Sequence, residues 1–218
     1  MKYLIFLFLS VIVFPILAYA KSYNPRATLF MKDGSVVHGY LRVSLHDVYK
    51  DFKISETENG KKQTYNNEDI DSLKVQYADG QEAVYYPFKF APEPNKKINK
   101  DTYLALISFD SEHVKGYCMP ASYIRSSSPV PSNNFQSYSS KTAAWWYCFE
   151  VKDADKPIVV FWMYIPSKKP SKYNMKDLKK ALSLYPGVYE TICSRGLTAD
   201  QINENPLMVL EILEESLQ

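Results

Sequence analysis

Three tight-turn signals fall between residues 33 and 80, and they constrain the fold more than any other feature of the chain. Asp33-Gly34, Asn59-Gly60 and Ala78-Asp79-Gly80 each separate runs with strand character. Asp-Gly and Asn-Gly steps in that setting favour hairpins, because the turn positions need positive φ. Strand, turn and strand follow one another in "ATLFMKDGSVVHGYLRV" from Ala27 to Val43. The pattern continues through "DFKIS", "KKQTYNN", "EDIDSLKVQY" and "QEAVYYPFKF". Turns at this spacing predict a small β-rich domain, an antiparallel sheet or barrel, over residues 21–90.

Residues 91–101, "APEPNKKINKD", carry two prolines and three lysines without apolar periodicity. They read as a linker or long loop before a second domain over residues 102–218. There, "TYLALISF" and "HVKGYCMPA" are expected as partner strands. The serine-rich stretch from Ser126 to Ser140 reads as an exposed loop. The strands "AWWYCFEV" and "IVVFWMYI", joined at "KDADKP", hold the largest aromatic payload and belong at the centre of a second antiparallel sheet.

The C-terminal part is helical. Asn174 is placed to cap a helix from Met175, with Leu178, Ala181, Leu182 and Tyr185 on one face. "VYETICS" continues to Gly196, Thr198 and Gln201 form a capping-box pattern, and Asn205-Pro206 opens a last helix. The stripe Leu207, Leu210, Leu213 and Leu217 is expected to dock on the sheet. The predicted class is α+β: an N-terminal small antiparallel sheet or barrel, a second antiparallel sheet, and C-terminal helices packed on it.

The run "KDGSVVHGYL" resembles the first motif of Sm-like and related SH3-type small barrels, with Asp33, Gly34, Gly39 and Leu41 at matching places. The acid that follows comes late, at Asp47, and the second RNA-contacting motif is missing. The resemblance implies a curved small sheet over residues 27–78 and not RNA binding. The wider arrangement, from "DIDSLKV" to "DLKKALSLYPGVYETI", is similar to a group of uncharacterised secreted proteins of gut-type anaerobic bacteria. That likeness implies export and this architecture, and no agreed activity.

Export is also expected from residues 1–20, "MKYLIFLFLSVIVFPILAYA". A lysine, an apolar stretch and small residues at Ala18 and Ala20 follow the order of a secretory signal peptide cut before Lys21. The apolar run from Tyr3 to Ala18 is shorter than the roughly 20 residues a spanning helix needs, so no membrane span is expected after cleavage. Losing Lys2 takes the formal charge from +2 to +1, which gives no long-range attraction for nucleic acid. The expected location is periplasmic, secreted or at the cell surface.

Catalytic chemistry is narrowed by what the chain lacks. Seven glycines, at 34, 39, 60, 80, 116, 187 and 196, leave no G-x-G-x-x-G or Walker-type loop, and no cofactor is expected. There is no G-x-S-x-G elbow and no H-E-x-x-H. His38, His46 and His113 all precede Cys118, the reverse of the papain-like order, and a His113–Cys118 dyad would need a bulge between them. Cys118 and Cys148, both on expected strands, are the preferred disulfide pair. The rival is three buried reduced thiols, with Cys193 the third. Glu68, Asp69 and Asp71 are the candidate metal ligands, set against a polar turn entering a strand.

Trp145, Trp146, Tyr147 and Trp162 are the candidate ligand-binding residues. Adjacent strand residues point to opposite faces, so Trp145 and Trp146 cannot share one core. Both are covered, or one presents itself to a glycan or an envelope protein. No catalytic residue is assigned. The reading that follows is an exported, non-catalytic binding or envelope-associated protein. The alternative is a secreted hydrolase of glycan or peptide using carboxylates the sequence does not locate.

Overall fold

The turn marked by Asp33-Gly34 forms as a three-residue loop. Met31 N–H donates to the Ser35 carbonyl at 2.9 Å, and Gly34 N–H to the Met31 carbonyl at 2.9 Å. Asp33 Oδ1 accepts from the Ser35 N–H at 2.9 Å and from its hydroxyl at 2.6 Å. The same construction recurs at Ala78-Asp79-Gly80, where Tyr77 N–H donates to the Gln81 carbonyl at 2.8 Å and Asp79 Oδ1 accepts from the Gln81 N–H at 3.0 Å. Gly34 and Gly80 take φ of 84° and 82°. A left-handed residue ending such a loop preserves the twist of the flanking strands, and only glycine adopts it without strain.

A computed structural model describes residues 24–42, 51–126, 139–166, 168–170 and 172–218. The expected signal peptide, residues 43–50 with His46 and Asp47, and most of the serine-rich loop lie outside the described residues. Ten strands are present: β1 (Arg26–Met31), β2 (Val36–Leu41), β3 (Asp51–Ser55), β4 (Gln63–Asn66), β5 (Ile70–Gln76), β6 (Glu82–Phe88), β7 (Tyr103–Asp110), β8 (Val114–Ser126), β9 (Ser139–Val151) and β10 (Val159–Tyr164). They form one antiparallel sheet in the order β10-β9-β8-β7-β6-β5-β1-β2-β3-β4. Four helices follow: α1 (Lys172–Ala181), α2 (Pro186–Ser194), α3 (Ala199–Glu204) and α4 (Met208–Glu215). Among the described residues no helix is long and apolar enough to cross a membrane.

The α+β class therefore stands, but the expected division into an N-terminal sheet or barrel and a second sheet is corrected. β6 pairs directly with β7, from Tyr85 opposite Leu106 to Phe88 opposite Tyr103, so one sheet runs through both halves. Turn signals report which strands are joined in sequence and not which lie side by side. A separate first sheet would have left the outer edge of β6 unpaired, and β7 satisfies those backbone groups.

Beyond β6, Phe90 and Ala91 are fully buried, and Ala91 makes a parallel bridge to Val159, its N–H donating to the Ile158 carbonyl at 2.7 Å. In a flat sheet β10 would stand four strand spacings from β6, about 19 Å. Ala91 is three residues past Phe88, a reach of about 10 Å. The strands from β6 to β10 must curl until the two meet, and Phe88, Phe90, Ala105, Tyr117, Met119 and Cys148 fill the inside.

The opposite face carries the other two cores. Tyr85, three residues before Phe88 on β6, points the other way and joins Leu29, Phe52, Ile54, Ile70, Leu73 and Val75. Further along, the same face of β8 to β10 is covered by the helices. Leu178 and Leu182 of the α1 segment, Val188 and Ile192 of α2, Ile202 of α3, and Val209, Leu210, Ile212 and Leu213 of α4 pack on Val114, Cys118, Tyr147, Phe149 and Phe161. The Thr198–Gln201 capping box forms as the sequence predicts. α1 begins at Lys172, ahead of the expected start at Met175.

Candidate functional site

Alternation along β1 turns Ala27 and Leu29 into the core and leaves Arg26, Thr28 and Phe30 on the other face. Register sets their neighbours. Arg26 lies between Tyr40 of β2 and Gln76 of β5, Thr28 between His38 and Lys74, and Phe30 between Val36 and Ser72. On β6, Glu82 stands opposite Gln76 and Val84 opposite Lys74. The face of β6-β5-β1-β2 thus presents a charged row, a mixed row and a more apolar row with Phe30 at 37% and Val36 at 47% exposure.

The first two rows line a cleft of about 410 Å³, bounded by Arg26, Thr28, His38, Tyr40, Gln76 and Glu82, with Glu56 beside them. Lys74 Nζ sits 2.6 Å from Glu82 Oε2, and Thr28 Oγ1 3.1 Å from His38 Nδ1. Arg26, Glu56 and Gln76 make no side-chain hydrogen bond or ion pair among the described residues. The cleft thus offers one free guanidinium and one free amide on strands β1 and β5, and one free carboxylate in the bend after β3. Such groups are donors and acceptors suited to a polar ligand, and none of the three is an activated nucleophile. A second groove of about 490 Å³, between Pro94, Lys96, Ile98 and Asp155, Lys156, Pro157, is walled by loops alone.

The four aromatic candidates do not assemble into one exposed surface. Trp162 and Tyr147 are buried at 2% and 4% exposure in the helix-side core. Register shifts between Val160 and Trp162, so Phe161 and Trp162 both reach that core. Trp162 Nε1–H donates to Asn203 Oδ1 at 3.3 Å. Trp145 packs against the helix-side core, whereas Trp146 stands on the other face, edge-on to Phe90 at 5.8 Å. Cover on both sides, left open by the sequence, comes from the helices and from the chain after β6.

The candidate metal ligands are also separated. Glu68 Oε1 lies 2.9 Å from Lys89 Nζ and accepts from Thr102 Oγ1 at 3.3 Å, and its carboxyl is held below the usual range chiefly by that lysine. Among the described residues no group of three or more His, Cys, Asp or Glu is placed to hold a metal ion. Glu68, Asp69 and Asp71 instead enter β5 through a 3-10 turn over Asn67–Asp69 capped by Asn66, with Ile70 buried.

The expected Cys118–Cys148 bridge is not formed, and all three thiols are free. Cys118 lies opposite Tyr147 and Cys148 opposite Tyr117, so the two are diagonal and point to different cores. Burial pushes the Cys118 thiol up to about 12 and Cys148 well above its usual value, which leaves neither as a thiolate nucleophile. His113 faces Glu214 instead of Cys118. Glu214 is buried at 8% exposure and accepts from the Ser111 hydroxyl at 2.6 Å and the His113 N–H at 3.1 Å. That cluster clasps α4 to the turn before β8.

Sequence reasoning missed Arg26, His38, Gln76 and Glu56 as one site. Alternation marks the outward residues of each strand, but the insertion of β5 beside β1 brings Gln76 and Lys74 to Arg26 and Thr28. Compared with known proteins, the chain matches no family model, no curated protein and no solved structure.

Proposed function

We propose that the chain is an exported, non-catalytic binding protein of the cell envelope that engages its ligand through the open face of β6-β5-β1-β2. One observation carries the reading: a cleft of about 410 Å³ whose walls include Arg26, Gln76 and Glu56, all without partners among the described residues. Paired strands fix the backbone under Arg26 and Gln76, so binding would order side chains and leave the backbone as it is. The reading of export rests on the apolar leader ahead of Lys21.

The test immobilises the chain from Lys21 onward and exposes it separately to protein and polysaccharide fractions of the envelope of its own source cell. An Arg26→Ala/Gln76→Ala variant is the control. Retention of a component by the parent and not by the variant supports the reading. No retention, or retention equal in both, overturns it, and release of cleaved fragments would put a hydrolase in its place.

A further inference from the structure

We infer that the cleft takes a carbohydrate bearing a carboxylate, a uronic acid unit seated with its carboxylate on Arg26; the inference rests on the reading of this face as a binding surface. Four features of the cleft select this chemistry. The first is polarity. Cofactors and drug-like ligands are held by mostly apolar walls, whereas this cleft is lined by Arg26, Thr28, His38, Gln76, Glu56 and Glu82. A ligand that loses water here must replace those hydrogen bonds with its own hydroxyls.

The second is shape. Guanidinium, amide and carboxylate groups each present two polar atoms side by side in a plane, matching the carboxylate of a uronic acid and its neighbouring hydroxyl pairs. The third is charge. Lys74 is neutralised by Glu82 at 2.6 Å, so Arg26 is the free guanidinium while Glu56 remains as a free acid. One carboxylate among hydroxyls suits that balance, and a dense polyanion would meet Glu56 and Glu82. The fourth is an aromatic ring in the wall itself: Tyr40 of β2, paired with Arg26, lines the cleft and offers an apolar face on which the C–H side of a sugar ring can lie.

A peptide occupant fits less well. Extended peptides add to a sheet through a free backbone edge, and β1, β5 and β6 are each paired on both sides. The volume matches a small ligand within the range of about 300 to 1,000 Å³ and not a folded partner.

The test is calorimetric titration of the chain from Lys21 onward with the methyl glycoside of galacturonic acid, which carries a single carboxylate, and with the methyl ester of that acid, which keeps the ring and loses the charge. The acid is expected to bind, and both the ester and the Arg26→Ala variant to weaken binding by about tenfold or more, as loss of a charge-assisted hydrogen bond requires. Arg26 is exposed, so the variant keeps the core, and Lys96→Ala in the other groove is expected to change nothing. Absence of binding at millimolar galacturonide, or binding that either the ester or Arg26→Ala leaves unchanged, overturns the inference. If the galacturonide fails while an envelope protein is retained only when Arg26 and Gln76 are present, the sugar assignment falls and the binding face stands. If nothing is retained either, both fall.

Discussion

Glu214 Oε1 lies 2.9 Å from His113 Nδ1, joining the last helix to a turn 101 residues earlier in the chain. Burial pushes the Glu214 carboxyl up, but hydrogen bonds from Ser111, His113 and Gln218 outweigh it and hold the group at about 2. His113 is raised above its usual 6.5, chiefly by its bond to Glu214. A depressed carboxyl contributes stability that is present above its unfolded value, near 4.5, and lost as pH falls towards 2. A raised histidine contributes stability that is complete below 6.5 and lost as pH rises through its folded value. The clasp is therefore strongest between those limits. Glu214→Gln is expected to lower stability by about 1 to 3 kcal/mol there. The Tm difference from the parent should shrink on either side of the window; a difference flat from pH 3 to 9 would refute the linkage.

Gly116 of β8 sits under α4. A Cβ there would run into Leu210 Cδ1 and stand 2.8 Å from Phe109 Cβ, and the second neighbour is too close to its own backbone to swing away. Gly116→Ala is expected to cost about 1 to 3 kcal/mol by overpacking. Gly187, near the start of α2, has nothing within 4 Å of the same added atom, and Gly187→Ala should stabilise by about 0.4 to 1 kcal/mol. Denaturant midpoints of the two variants should move in opposite directions. If both fall, α2 and α4 are not seated as described.

How much of this was legible follows from the range of each signal. Asp33-Gly34 and Thr198–Gln201 were readable because a turn and a cap are decided within about five residues. The faces of Trp145 and Trp146 had to differ, since alternation is local. The cover of Trp146 was not readable, because it comes from Phe90, which reaches that ring only through the curl of five strands. The pairing of β6 with β7 and the insertion of β5 beside β1 are likewise non-local, and the cleft depends on the second. The cysteines failed for a subtler reason: both lie on strands, as expected, but a diagonal register sends Cys118 and Cys148 to opposite faces.

Thiol counting tests that register. Cys193 is exposed, while Cys118 and Cys148 are buried with their thiols held protonated by burial. In native, non-reducing buffer one thiol is expected to react promptly with an aromatic disulfide reagent, and all three after unfolding. A single reactive thiol after unfolding would mean that a bridge exists and that the β8–β9 register must differ.

Phe90 closes the curled half of the sheet. It is fully buried, packs on Phe88 at 5.6 Å and Tyr103 at 4.9 Å, and meets Trp146 edge-on. Its position also brings Ala91 to β10, so truncating it removes both ring packing and the alignment of that bridge. Phe90→Ala is expected to cost about 3 to 5 kcal/mol. It should also shift tryptophan emission to longer wavelength, because Trp146 loses its cover to water. Ile98→Ala, in the same connection but 52% exposed, should stay within about 0.5 kcal/mol and leave the emission unchanged. If Phe90→Ala is as mild as Ile98→Ala, the chain after β6 does not seal this core, and the curl from β6 to β10 must be held by the strands alone.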